Sequence, residues 1–315
     1  MKISVLSSKY LVCTGRIHYN KSSSQNLEIN CKEVEKYMES GERHTYLTLE
    51  EIHEIELEML VDFVRVCETY KLRYYLCGGT LLGAIRHKGF IPWDDDIDIL
   101  MPRPDYMKFL KIARKKQILP AHLKVCSNLL GNLNDPFCKI ENLNVRMEKD
   151  YSDDENDHYL WIDIFPMDGL PDSQRETKWI YKKVLFLRTL IRIIKVRPEI
   201  SGEISKTRLK AFLKPLMKPV LNAIGIQHFV SWIEHICRKY DFDSSCYVGG
   251  IAFGYGPQER MVRKEYVKPV KVEFEGYLFN APGCWHRYLS SLYGDYRKLP
   301  PKEKRVAHII KMWRV

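Results

Sequence analysis

Residues 77–99 read CGGTLLGAIRHKGFIPWDDDIDI. Four aspartates, Asp94, Asp95, Asp96 and Asp98, fall within five positions, and branched apolar residues close the run on both sides. In a strand, successive side chains alternate faces, so Asp96 and Asp98 project to one side while Ile97 and Ile99 project to the other. Two carboxylates about 7 Å apart on one strand face repel each other, and burial of the isoleucine face raises that penalty. A divalent cation removes it. Oxygen donors alone suit magnesium or manganese, whereas zinc recruits histidine or thiolate. A calcium loop of the EF-hand kind is excluded because the alternation sits in a β-branched run, not in a twelve-residue loop with glycine at its sixth position.

Upstream, Gly78-Gly79 reads as a tight turn, and a short helix follows from Thr80. Glycine lets backbone approach a ligand, and the unpaired amides at a helix N-terminus attract phosphate. Set 17 residues before Asp96, the turn becomes a phosphate cradle facing a metal site. Arg86 and His87 end the short helix and add positive charge beside the cradle; the same residues also suit an exposed helix C-terminus.

Outward from this stretch, Thr48-Leu49-Glu50-Glu51 is a capping box. It starts an amphipathic helix that runs to about Lys71. Arg73–Cys77 and the aspartate run are strands, the second stopped by Pro102 and Pro104, and Asp105–Arg114 is helical. Leu160–Pro166 is a further apolar strand carrying Asp163 at its centre. From 174 to 240 the pattern is helical and basic. Val270–Phe279 is strand-like, and a helix lies near Trp285–Leu292. Residues 1–45 have little periodicity and are expected to form a loosely ordered extension.

The 315 residues are 45% apolar and 12% aromatic, enough to bury a substantial core. Nine cysteines are scattered singly, without a C-x-x-C pair, as expected of reduced thiols in a cytosolic protein. The most apolar window, Val184–Val196, is broken by Arg188, Arg192 and Lys195 and does not reach the roughly 20 residues of a span. Net charge is +10, and residues 174–218 hold thirteen Lys and Arg against three Glu. That segment points to an anionic partner. Its helix either packs an apolar stripe on the core or lies on an anionic bilayer.

The run at 77–99, followed by WIDIFP at 161–166, resembles the LicD family, a branch of the nucleotidyltransferase superfamily. The superfamily pattern is a glycine turn, two aspartates one residue apart on a strand, and a third carboxylate on a later strand; here these are Gly78-Gly79, Asp96 with Asp98, and Asp163. The tail YLSSLYGDYRKLPPKEKRVAH at 288–308 is similar to the family's closing segment. The resemblance implies an α+β fold for residues 46–315, a polymerase-β-type mixed sheet with flanking helices and a basic helical insertion at about 174–240.

It also implies metal-dependent transfer of a phospho-alcohol group from a CDP-linked donor such as CDP-choline to a sugar hydroxyl, releasing CMP. The acceptor would be a teichoic acid, lipopolysaccharide or capsule glycan, free or lipid-linked. Asp96, Asp98 and Asp163 would be catalytic and hold Mg2+ or Mn2+. Gly78, Gly79 and Thr80, with Arg86 and His87, would hold donor phosphate. Asp94, Asp95, Asp295, Arg305 and His308 would support the site. The expected location is cytoplasmic, at the inner membrane face through residues 174–218, with no nucleic-acid partner. Transfer of a nucleotide to a hydroxyl is the alternative.

Overall fold

Helix α1, Leu49–Tyr70, begins where Thr48 Oγ1 accepts the Glu51 amide (3.2 Å) and Glu51 Oε2 accepts the Thr48 amide (2.8 Å), the capping box read from sequence. It ends at Lys71, whose φ of 54° breaks the helical path. Ile52, Ile55, Met59, Leu60, Phe63, Val64 and Cys67 are buried along one stripe. The computed structural model describes residues 45–148, 158–195, 217–301, 303, 305 and 311–315. The expected extension therefore lies outside the described residues apart from Thr45, as do residues 196–216 of the basic segment.

Strands and helices intermingle after α1. They are β1 (Tyr75–Leu76), α2 (Gly78–Arg86), β2 (Asp98–Pro102), α3 (Arg103–Lys115), β3 (Leu123–Ser127), β4 (Cys138–Met147) and β5 (Tyr159–Leu170). Then come α4 (Gln174–Lys195), α5 (Ile226–Cys237), β6 (Tyr247–Gly249), β7 (Met261–Val262) and α6 (Arg263–Tyr266). The chain closes with β8 (Pro269–Phe274), β9 (Tyr277–Pro282), α7 (Trp285–Tyr293) and β10 (Met312–Arg314).

Eight strands form one mixed sheet with the path β1-β2-β5-β4-β10; β3 adds to β4, and β6 with β7 extends from β5. β2 and β5 run parallel, while the other pairings of this sheet are antiparallel. The α+β class expected from sequence is what the chain adopts.

Two details differ from the sequence reading. Helix α2 starts at Gly78 and not at Thr80, because Gly78 takes a φ of +53° that turns the chain directly out of β1. Val270–Phe279 is a hairpin and not a single strand: Glu275 and Gly276, with φ of 48° and 78°, reverse the chain between β8 and β9.

The core has two hydrophobic clusters. The larger gathers α1, the sheet and the β8–β9 hairpin, with Phe63, Phe109, Ile140 and Ile164 at no measurable exposure. The smaller joins α4 to α5 through Ile180, Val184 and Ile191 against Phe229, Val230 and Ile233. A buried ion triad lies where β2 meets α3: Arg103 binds Asp168 of β5 through Nε (2.6 Å) and Nη2 (2.8 Å), and Glu234 of α5 through Nη1 (3.1 Å). It ties the sheet to the α4–α5 pair.

Candidate active site

The parallel pairing of β2 with β5 sets Asp98 opposite Asp163. Ile97, Ile99, Ile162 and Ile164 fill the opposite face with no exposed surface, so the apolar alternation forces the carboxylates to one side. Asp96 lies before the first residue of β2, yet it faces the same cavity, because Ile97 already joins the ladder by accepting the Asp163 amide at 2.9 Å. This cavity of about 260 Å³ is lined by Asp96, Asp98, Asp163, Phe165, Phe253 and Glu259, among others.

Helix α2 holds Asp98 in place. The Asp98 amide donates to Thr80 Oγ1 at 2.8 Å, and the Asp98 carbonyl accepts the Cys77 amide at 3.2 Å. Thr80, expected beside donor phosphate, is buried with its hydroxyl fixing the aspartate strand. The glycines have a matching explanation. A Cβ at Gly78 would lie 2.8 Å from Asp98 Oδ2 and 3.0 Å from the Tyr255 hydroxyl; one at Gly79 would lie 2.6 Å from Asp94 Oδ2. The space that glycine opens is filled by the protein's own carboxylates. Asp94 therefore packs against the turn, and its carbonyl is bound by His53 Nε2 at 2.7 Å.

The electrostatics follow from crowding. Burial raises the Asp98 carboxyl well above its ordinary range, and Asp96 and Asp163 push it further. Burial pushes Asp163 up to about 7 against the pull of Lys139, and its Oδ1 is buried without a hydrogen-bond partner. Among the described residues, no group of three or more His, Cys, Asp or Glu side chains is arranged so that it could hold a metal ion. The donor chemistry still fits a hard cation: oxygen donors only, mutually repelling, with one buried oxygen unsatisfied.

The other expected residues divide. Arg86 and His87 are half-buried and joined by an Arg86 Nε to His87 Nε2 hydrogen bond of 2.9 Å, and Arg86 also donates to the Tyr296 carbonyl at 3.2 Å. Arg305 lies over Trp93, 5.1 Å from the ring centroid, and its charge acts on Arg86. Asp295 pairs with Lys298 at 3.1 Å on the exposed surface. Asp95 contributes, with Asp94 and Asp96, to the field on Glu56. His308 lies outside the described residues.

Sequence reasoning missed three groups. Glu259 is buried in the cavity wall, bonded by the Tyr288 hydroxyl (3.1 Å) and the Tyr255 amide (2.8 Å), and burial pushes it up to about 7. Glu56 of α1 is buried beside the aspartate turn with both oxygens lacking hydrogen-bond partners, and burial raises it well above its ordinary range. Arg188 of α4 rests on Phe253 with its guanidinium carbon 3.9 Å from the ring centroid, and no carboxylate pairs with it among the described residues. Glu56 and Arg188 sit in helical patterns that read as ordinary amphipathic faces, and Glu259 lies in a segment whose local pattern marks no site.

Comparison with known proteins converges on one group. A family model described as "LicD/FKTN/FKRP, nucleotidyltransferase domain" matches residues 71–188, which contain the glycine turn and all four carboxylates of the aspartate run as well as Asp163. The lipopolysaccharide cholinephosphotransferase LicD of Haemophilus influenzae is 34% identical over 269 residues, covering 84% of this chain and 97% of that protein. This chain belongs to the LicD family. An uncharacterized protein of Rickettsia typhi is 29% identical over 119 residues, 35% of this chain and 37% of its own. The human ribitol 5-phosphate transferase FKRP is 56% identical over a short block of 36 residues, 11% of this chain and 7% of its own. Within the family, the facing pair Asp98 and Asp163 is thus carried on the segment that defines membership.

Proposed function

We propose that this LicD-family chain transfers a phospho-alcohol group, phosphocholine first among the choices, from a CDP-linked donor to a hydroxyl of a cell-surface glycan such as lipopolysaccharide. The observation that carries the reading is near full-length similarity to a cholinephosphotransferase, joined to facing carboxylates in a cavity. We read the sheet around β2 and β5 as the nucleotidyltransferase type, with the glycine turn feeding α2 beside the aspartate strand.

In this reading the acceptor oxygen attacks the phosphorus that bears choline. The bond from that phosphorus to the bridging oxygen of the diphosphate breaks, and CMP leaves with the electron pair. Asp163, whose Oδ1 has no hydrogen-bond partner, receives the hydroxyl proton or completes the ligand set with Asp96 and Asp98. Mg2+ or Mn2+ bound by these carboxylates supplies neutralisation of charge on the phosphate oxygens. The α2 N-terminus with Gly78 and Gly79 orients donor phosphate. Arg86 adds positive charge at the C-terminal end of α2, while His87, which accepts the Arg86 Nε hydrogen bond, is held toward its neutral form by burial and by the Arg86 charge. Among the described residues no helix is long and apolar enough to cross a membrane.

The test is CMP release from CDP-choline by the purified protein with added magnesium or manganese, run beside CDP-ribitol, CDP-glycerol and Asp98→Asn. Choline-dependent CMP release that needs Asp98 supports the proposal. A nucleotidylated acceptor with free phosphocholine would replace it with nucleotide transfer.

A further inference from the structure

We propose that the outward face of α4 docks on an anionic phospholipid surface, with Trp179 and Phe186 entering the interface and Lys182 and Lys183 binding headgroup phosphate.

The helix has two sides with different chemistry. Thr177, Ile180, Val184 and Ile191 are buried and pack it onto α5. Arg175, Trp179, Lys182 and Phe186 follow at three- and four-residue steps and point the other way. Trp179 is 55% exposed, Leu185 60% and Phe186 62%, a density of large apolar side chains on one helix that a face meeting only water would not carry. Basic residues are interleaved with them: Arg175, Lys178, Lys182, Lys183 and Arg192 are all exposed. Lys182 lies 5.2 Å from the Trp179 ring centroid. The one acidic residue of the helix, Glu176, is bonded to Lys239 at 2.9 Å and to the Tyr240 hydroxyl.

The positive character continues past the helix. Lys183 also lines a groove of about 760 Å³ between α4 and α5, together with His235, Arg238 and Lys239. Exposed Trp232 of α5 adds a second indole to the same helix pair.

Apolar and basic side chains alternating on one exposed helix face select a partner that presents negative charge over an apolar layer. An anionic bilayer does so: indole and phenyl rings sit at the headgroup boundary while lysines snorkel to the phosphates. Nucleic acid would reward the lysines but leave Leu185 and Phe186 in water. The inference concerns adhesion only and is independent of the group transferred.

The experiment is co-sedimentation of the full chain with sucrose-loaded vesicles of phosphatidylcholine alone, and of phosphatidylcholine in which phosphatidylglycerol replaces a quarter. Binding to the anionic vesicles is expected, with little to the neutral ones. Lys182→Glu with Lys183→Glu should weaken it by about tenfold or more, because each basic side chain near an anionic surface changes partitioning by about fivefold. Trp179→Ala with Phe186→Ala should weaken it by a similar factor. All four positions are exposed, so circular dichroism should report an unchanged fold. Failure of the intact chain to sediment with anionic vesicles overturns the proposal. So does binding that the Trp179→Ala, Phe186→Ala variant retains in full, or tighter retention by single-stranded RNA than by the vesicles.

Discussion

Asp98 and Asp163 stand opposite each other in the parallel register of β2 and β5, 65 positions apart in the chain, and each is raised by burial before any neighbouring charge acts. The pairing concentrates like charge where the protein could have placed an isoleucine, at a cost to folding. A site is the physical reason to keep it.

If Asp98 orients charge on the reacting phosphates, Asp98→Asn lowers transfer at least about a hundredfold, as removal of one electrostatic contact at a reacting centre commonly does. The variant should unfold at the same urea concentration as the parent or at a higher one, because the repulsion with Asp96 and Asp163 is relieved. A rate within threefold of the parent would remove Asp98 from the mechanism.

Stability should fall as pH rises. Glu259 and Asp163 ionise in the unfolded chain near their ordinary values of 4.5 and 3.8, but in the folded chain hold their protons to about 7. Between about pH 4 and 7 the native state therefore binds more protons than the unfolded state, and their contribution is full below that window and lost through it. Each pK unit is worth about 1.4 kcal/mol, so the loss is on the order of 3–4 kcal/mol for each of the two groups. Urea unfolding at pH 5 and pH 8, at fixed ionic strength with chelator present, measures it; Glu259→Gln should flatten the slope, and a midpoint that climbs with pH would contradict the assignment.

Arg188 is a half-buried guanidinium stacked on Phe253, a residue of the cavity wall, and in the proposed reaction it meets the charged donor. Arg188→Gln is expected to raise KM for the CDP-linked donor about tenfold, or about 1.4 kcal/mol of binding, with a smaller change in kcat. Calorimetric titration with CDP gives an independent measure, and unchanged affinity there would reduce Arg188 to a packing residue.

Breaking the Arg103 triad should be costly to the fold and not to the chemistry directly. Arg103→Met leaves Asp168 and Glu234 buried without a counter-charge, a loss of about 3–5 kcal/mol. Adding Asp168→Leu and Glu234→Leu to that variant should recover much of it, since an apolar replacement of the whole triad removes the stranded charges. Denaturant midpoints of the single and triple variants test both statements.

Much of this was legible in the sequence for local reasons. The capping box at Thr48 and Glu51, the apolar stripe of α1, and the alternation of Ile97 and Ile99 with Asp96 and Asp98 depend on periods of 3.6 and 2, which the chain carries in itself. The three aspartates and the glycine turn were therefore found before any fold was known. Strand pairing is not local. Nothing in the sequence states that β5 lies beside β2 in parallel, that Thr80 spends its hydroxyl on the Asp98 amide, or that Gly78 and Gly79 yield room to Asp98 and Asp94. Glu56, Arg188 and Glu259 come from a helix before the motif, a helix after it and a turn more than 90 positions downstream of Asp163. Each looks ordinary in its own segment, and only long-range packing buries Glu259 in the cavity wall, sets Glu56 within the field of the aspartates and stacks Arg188 on Phe253. The sequence by itself determined that Asp96 and Asp98 share a face opposite Ile97 and Ile99, because that alternation is local; the tertiary structure decided that Asp163 stands opposite Asp98 and which other charges lie near, because strand pairing is not.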